Sequence, residues 1–245
     1  MNPLISIITV SFNSEKTIEQ TIKSVVEQDY DDFEYIIIDG ASSDGTLEII
    51  KKYASIYPGI IKYVSEKDEG IYDAMNKGIR MCHGDLIGII NSDDYYEEGA
   101  LKKVADACKR NSLDESFVVY GMVRFLENEK EESVNMVSHN SLSKRMMMHP
   151  ACFVSKAAYD DVGLFDCHYK SAADYDLFLR LQASTKVDFI PIYEILANFR
   201  LGGMSGTYTS FKETIEVKRK NGLINKKQYL TMKSLNFVKR KGIYK

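Results

Sequence analysis

The sequence predicts an α/β fold: a mostly parallel sheet flanked by helices, followed by a basic helical tail. Three observations predict it. Short, β-branched and almost continuously apolar runs recur through the first half of the chain, helical apolar periodicity fills the gaps between them, and small polar residues gather where each run ends. Nearly unbroken apolar runs are what strands buried on both faces of a parallel sheet require.

The elements follow in order. Residues 4–11 (LISIITVS) form the first predicted strand, and Ile18, Ile22, Val25 and Val26 repeat at helical spacing after the NSE start signal. The second strand, 33–39 (FEYIIID), precedes a helix carrying Leu47, Ile49, Ile50 and Tyr53. The third, 60–65 (IIKYVS), precedes a helix at IYDAMNKGI, and the fourth is 85–90 (DLIGII). Alternating strands and helices give a parallel sheet, because parallel neighbours need crossover connections. Further on, a helix is expected over about 97–110, a strand at 116–123, and an exposed hairpin or loop at the charged stretch 126–135. Residues 150–163 read as a strand leading into a short helix, 172–184 as an amphipathic helix, and 187–200 as a pair of short strands.

A chain of 245 residues accommodates one large domain, here expected over 1–210, with a tail over 211–245. With 44% hydrophobic and 27% charged residues and a net charge of −3, global charge selects no partner class. Cys82, Cys108, Cys152 and Cys167 are scattered singly, which argues against a zinc site or a disulfide framework and for a reducing compartment. The N-terminal apolar run lacks a basic flank and is too short for a signal peptide or a spanning helix, so a cytoplasmic location is expected.

Parallel α/β sheets bind ligands beyond the carboxyl ends of their strands. Ser11 and Asn13, the segment DGASSDGT (39–46), EKDEG (66–70) and NSDD (91–94) occupy those ends. The turn after the first strand, SFNSEKT, has no glycine for a dinucleotide pyrophosphate, and no P-loop pattern occurs anywhere. Carboxylates stand there instead, and a carboxylate meets a diphosphate only through a divalent cation such as Mg²⁺ or Mn²⁺. Asp93 and Asp94 suit such a cation; the alternative is that Ser92 or Asp93 caps the following helix.

SIITVSFNSEKTIEQTIKSVVEQDY, EYIIIDGASSDGT, SEKDEGIYDAMNKGI, GDLIGIINSDD and AADYDLFLRL stand in the order and spacing of the family 2 glycosyltransferases. The chain resembles that family, above all its small bacterial members that build O-antigen, capsule or exopolysaccharide, over roughly residues 4–205. The resemblance implies the GT-A fold, a nucleotide-diphosphate-sugar donor and inverting transfer to a hydroxyl. It puts Thr9, Ser11, Asn13, Asp39, Asp68, Asn76, Asn91 and Ser92 at the nucleotide and Asp93 and Asp94 at the metal. Asn91 departs from the family's usual acid and leaves metal dependence open. The family's late acidic pair is reduced here to Asp174, with Ala173 in place of the first acid, which makes Asp174 the expected base. Asp176, two residues on, falls about 200° around a helix and does not share that face.

His149 matches an acceptor-side histidine of related enzymes, or is a structural hydrogen-bonder. Arg200 and Ser205, in NFRLGGMSG, either close over the diphosphate or belong to an ordinary glycine turn. The tail sets Lys212, Lys218, Arg219, Lys220, Lys226, Lys227, Lys233, Lys239, Arg240, Lys241 and Lys245 against only Glu213 and Glu216. Such a tail either lies on the anionic inner face of a plasma membrane, as suits a polyprenyl-diphosphate-linked sugar acceptor, or packs on the domain with a solvated face. No recognition motif for nucleic acid accompanies the charge. The expected function is transfer from a UDP-sugar to a glycan or lipid-linked glycan; the alternatives are a sugar nucleotidyltransferase and a non-catalytic sugar-nucleotide-binding protein.

Overall fold

The computed structural model describes residues 2–109, 116–202 and 208–240. The first half is the expected alternation: β1 (Ile5–Ser11), α1 (Ile18–Val26), β2 (Phe33–Asp39), α2 (Thr46–Ile56), β3 (Ile61–Ser65), α3 (Ile71–Met81) and β4 (Leu86–Ile89). The four strands are mutually parallel in the order β3-β2-β1-β4. Every residue of β1 is buried, because helices cover both faces. Alternate side chains separate into two cores, as the two-residue period of a strand dictates. Ile8, Val10, Ile36 and Ile38 face α3, and Ile5, Ile7, Tyr35 and Ile37 pack with Ile18, Ile22 and Ile50 of α1 and α2.

The second half extends the same sheet: β5 (Tyr95–Tyr96), α4 (Ala100–Cys108), β6 (Ser116–Glu127), β7 (Lys130–Asn135), β8 (Cys152–Ser155), α5 (Lys156–Val162), α6 (Ala173–Ala183) and β9 (Val187–Arg200). Beyond β4 the order is β8-β6-β9-β5, with β7 on β6, and the pairing becomes mixed: β8 is antiparallel to β4 and β6, and β9 is parallel to β6. The charged stretch 126–135 is a hairpin, turning through Asn128 and Glu129 at φ 51° and 62°. The expected pair of short strands at 187–200 is one strand. Its pairing jumps from Tyr120↔Pro191 to Met122↔Ile195, so it bulges near Tyr193, which is 70% exposed. The helix expected to be amphipathic, α6, is buried on all sides from Ala173 to Leu179, including Asp174 and Asp176.

Two helices close the described chain, α7 (Tyr208–Lys220) and α8 (Lys226–Arg240). Val217 of α7 enters the core shared by β1, β4 and α6. Leu230 and Leu235 of α8 are exposed. No helix among the described residues is long and apolar enough to cross a membrane. All four cysteines are free, with Cys82, Cys108 and Cys152 buried and Cys167 exposed. Lys241 and Lys245 lie outside the described residues.

Candidate active site

The carboxyl ends of β1, β2 and β4 stand side by side, and their loops are stapled together by short polar side chains. Asn13 adopts φ 50°, a conformation that asparagine tolerates better than most residues. Its Oδ1 accepts from the Ser43 amide at 2.9 Å, and its own amide donates to Ser42 Oγ at 2.8 Å. The Gly45 amide donates to Glu15 at 2.8 Å, and the Ser14 amide to Thr46 Oγ1 at 2.7 Å. The Ser14 hydroxyl reaches Ser92 Oγ at 2.7 Å, joining the first loop to the fourth. Thr21 of α1 donates to the carbonyls of Asp94 at 2.6 Å and Ser92 at 3.1 Å.

Asp39 is fully buried and collects hydrogen bonds from Ser11, Ser42 and Ser65, which ties the ends of β1, β2 and β3 to one carboxylate. Asp68 accepts from the Gly70 amide at 2.9 Å, while its other oxygen faces Gly40. A Cβ at Gly40 would stand 2.5 Å from that oxygen and 3.4 Å from the Phe12 ring, so with any other residue here the Asp68 carboxylate would have to swing away from the second loop. Phe12 itself is 64% exposed at this rim.

In the NSDD loop, Asp94 Oδ1 accepts from the Arg200 amide at 2.9 Å. Asp94 Oδ2 and Asn91 Oδ1 are buried without a partner among the described residues. Burial, and then the charge of neighbouring Asp93, push Asp94 well above the usual carboxylate range. The helix-cap alternative does not hold. Helix α4 starts behind Gly99 with no side-chain cap, and the Ser92 hydroxyl is on Ser14. No group of three or more His, Cys, Asp or Glu able to hold a metal occurs among the described residues. The unpartnered Oδ2 of Asp94, next in sequence to Asp93, nonetheless fits a Mn²⁺ or Mg²⁺ whose remaining ligands are phosphate oxygens and water.

Across the sheet, Asp174 lies in the first turn of α6 with 7% exposure. Its Oδ1 accepts from Tyr72 Oη at 3.1 Å and from the Tyr175 amide at 2.8 Å, and its Oδ2 lies 3.7 Å from His149 Nδ1. Burial raises its pKa, opposed by His149 and those hydrogen bonds. Burial lowers the pKa of His149, while the charges of Asp174 and Asp93 pull it up, and its Nε2 is buried without a partner among the described residues. Asp93 and Asp174 therefore flank the same histidine electrostatically. Asp176 points away, as its helical position requires, accepting from Arg180 at 2.9 Å and Lys220 at 3.0 Å. The loop entering α6 is held by the buried Glu213 of α7, which accepts from the amides of Lys170 at 3.0 Å and Ser171 at 2.8 Å.

Besides Asp39, three sequence-predicted residues have their polar groups spent elsewhere. Thr9 is fully buried, with its hydroxyl 2.8 Å from Tyr35 Oη. The Asn76 amide grips both backbone polar groups of Phe165, at 2.9 and 3.0 Å. The Arg200 guanidinium binds Glu129 at 2.6 Å, Gln20 and the Asp93 carbonyl at 2.5 Å each, and stacks on Tyr95. It braces the NSDD loop and offers no free fork for phosphate. Ser205 lies outside the described residues. Sequence reasoning missed Phe12, Ser14, Thr21, Tyr72 and Glu213. Of these, only Phe12 carried a signal, an aromatic residue inside a polar loop.

The family model described as glycosyl transferase family 2 matches residues 6–158. A chondroitin synthase from Escherichia coli is 29% identical over 225 residues, covering 89% of this chain but only 31% of that protein. The chain thus spans about a third of that relative's length. A PGL/p-HBAD biosynthesis glycosyltransferase from Mycobacterium bovis is 27% identical over 207 residues, covering 84% of this chain and 80% of that protein. Among solved structures, S. aureus TarS in complex with UDP-GlcNAc matches with a TM-score of 0.71 at 20% identity, covering 93% of this chain and 70% of that one. The mannosyltransferase PcManGT from Pyrobaculum calidifontis, in complex with GDP-Man and Mn²⁺, matches with a TM-score of 0.68 at 18% identity, covering 96% and 70%. At such identities the likeness to these two structures is one of fold.

Proposed function

The chain belongs to glycosyl transferase family 2 and has its GT-A fold, and on that premise we propose that it transfers a sugar, with inversion, from a UDP-sugar to a glycan hydroxyl. One observation carries the reading: a buried carboxylate, Asp174, has one oxygen held and the other open, beside a histidine that also senses the acidic loop at the end of β4. An inverting displacement needs a base within reach of the acceptor hydroxyl, on the sugar face opposite the departing diphosphate. Asp174 Oδ2 takes the proton from that hydroxyl as its oxygen attacks, and His149 lines the acceptor side.

The donor nucleotide lies along the stapled rim. Ser11, Asn13 and Asp68 supply hydrogen-bonding groups, the buried Asp39 orders the serines of the rim, and the exposed ring of Phe12 offers a face for the base. Thr9, Asn76 and Arg200 support the rim from behind. Asn91 and Ser92 face the ribose side, and Asp93 and Asp94 would hold Mn²⁺ or Mg²⁺. A dication bound there supplies the charge neutralisation that lets the nucleoside diphosphate leave. Two neighbours in fold, one solved with UDP-GlcNAc and one with GDP-Man and Mn²⁺, support a nucleotide-sugar donor, and the likeness to a chondroitin synthase supports a glycan acceptor, in keeping with cell-surface polysaccharide synthesis. Exposed Leu230 and Leu235 beside Lys226, Lys227 and Lys233 support a peripheral position on the anionic inner face of the plasma membrane, where a polyprenyl-diphosphate-linked acceptor resides.

The test is a donor screen: the chain with UDP-, GDP- and TDP-sugars and Mn²⁺, reading released nucleoside diphosphate with and without glycan acceptors. Slow hydrolysis of one UDP-sugar, accelerated by an acceptor, is the expected result. Pyrophosphate release from UTP and a sugar phosphate would make the chain a nucleotidyltransferase, and binding without turnover a non-catalytic sugar-nucleotide-binding protein.

A further inference from the structure

Tyr72 sits in the first turn of α3, directly behind the third strand-end loop, yet its hydroxyl ends on a residue 102 positions away. The ring is 6% exposed and stacked on Phe165, with centroids 5.4 Å apart at 27°. That packing calls for an aromatic ring and nothing more; phenylalanine would fill the same space. Among the described residues the hydroxyl has one partner, Asp174 Oδ1 at 3.1 Å. Burial, followed by the charge of Asp174, pushes the phenol well above its ordinary pKa, so it remains a donor at any working pH.

The two oxygens of Asp174 are therefore unequal. Oδ1 receives the Tyr72 hydroxyl and the Tyr175 amide, whereas Oδ2 faces His149 Nδ1 at 3.7 Å, beyond hydrogen-bonding distance. One oxygen anchors the group and the other is left for chemistry. The turn that carries Tyr72 is itself tied to the donor-side loop: Gly70, at φ 124°, donates to Asp68, and the Glu69 amide donates to Asp73 at 3.1 Å.

We propose, resting on the assignment of Asp174 as base, that Tyr72 is a positioning residue: it locks Oδ1, directs Oδ2 at the acceptor hydroxyl and keeps the carboxylate ionised. The groups facing Asp174 are Tyr72 from α3, the Tyr175 amide from α6, His149 from the turn before β8, and Cys152 at the start of β8, with Asp93 beyond the histidine. Donation to the charged form lowers a carboxyl pKa, so loss of the hydroxyl raises it. The acid limb of the rate profile then moves to higher pH.

The test compares the unmodified chain, Tyr72→Phe and Asp174→Asn, following nucleoside diphosphate released from the best donor of the screen, as kcat and donor KM from pH 5 to 9. For Tyr72→Phe the expected result is an acid limb displaced upward by about one pH unit, with donor KM within about twofold and a melting temperature lower by roughly 3–6 °C at neutral pH, the linked cost of that displacement. An unmoved limb in Tyr72→Phe, with Asp174→Asn inactive, overturns the positioning role and leaves the base intact. Near-normal turnover in Asp174→Asn overturns the base, and this inference with it.

Discussion

Replacing Glu213 with alanine tests whether α7 is part of the machinery that holds Asp174 in place. The carboxylate accepts the amides of Lys170 and Ser171 and, at 3.3 Å, the Ser171 hydroxyl. A hydrogen bond to a charged acceptor is worth about 1.5–3 kcal/mol, and a buried amide left unpaired costs about 1–3 kcal/mol. Lys170 is exposed, so water recovers part of the loss, and the net cost should be about 3 kcal/mol. For a chain of this size that lowers the melting temperature by roughly 6–12 °C. Glu213→Gln keeps one acceptor oxygen and should lose about a third as much. Thermal melts and urea midpoints at constant slope measure both. A fall of less than about 2 °C for the alanine variant would refute the account of Glu213 as the anchor of this loop.

Asp174→Asn should leave donor affinity nearly intact while turnover drops by roughly two to four orders of magnitude, read as initial rates against calorimetric binding. Asp93→Ala should weaken donor binding when Mn²⁺ or Mg²⁺ is present and change little in EDTA; equal loss in both conditions would remove Asp93 from the metal. At the opposite end of the sheet, burial raises the pKa of Glu34, but the His83 amide, Ser6, Lys62 and the His83 ring more than offset it and bring it to about 2. Because the folded value lies below the unfolded 4.5, its stabilisation is complete above that pH and is lost as pH falls through about 2. The contribution is about 2 kcal/mol after allowance for solvent screening, and Glu34→Gln should flatten the acid side of a stability–pH curve accordingly.

The parallel half was legible because burial on both faces writes itself as unbroken apolar runs, as in ISIITVS and FEYIIID. Strand β9 was not, because the bulge around Tyr193 interrupts the pattern without ending the strand. The turning of Asp174 and Asp176 to different partners followed from helix geometry alone. What stayed hidden was where long-range polar atoms go. Arg200 in a glycine-rich segment resembles a phosphate donor until Glu129, Gln20 and Tyr95, from three distant parts of the chain, close around it. Tyr72 looks like one more apolar position of α3, and Glu213 like a stray acid in a basic tail.

The staples between the strand-end loops bear on how this scaffold can be re-engineered. Asn13 with Ser43, Glu15 with Gly45, and Ser14 with both Thr46 and Ser92 make the loops share their ordering. A graft that replaces one loop to change the accepted donor would strip its neighbours of their partners and melt them as well. The natural unit of exchange is the whole rim, and on the proposed donor site single substitutions at Phe12 or Asn91, whose side chains hold no staple, are where donor choice would drift without dismantling it.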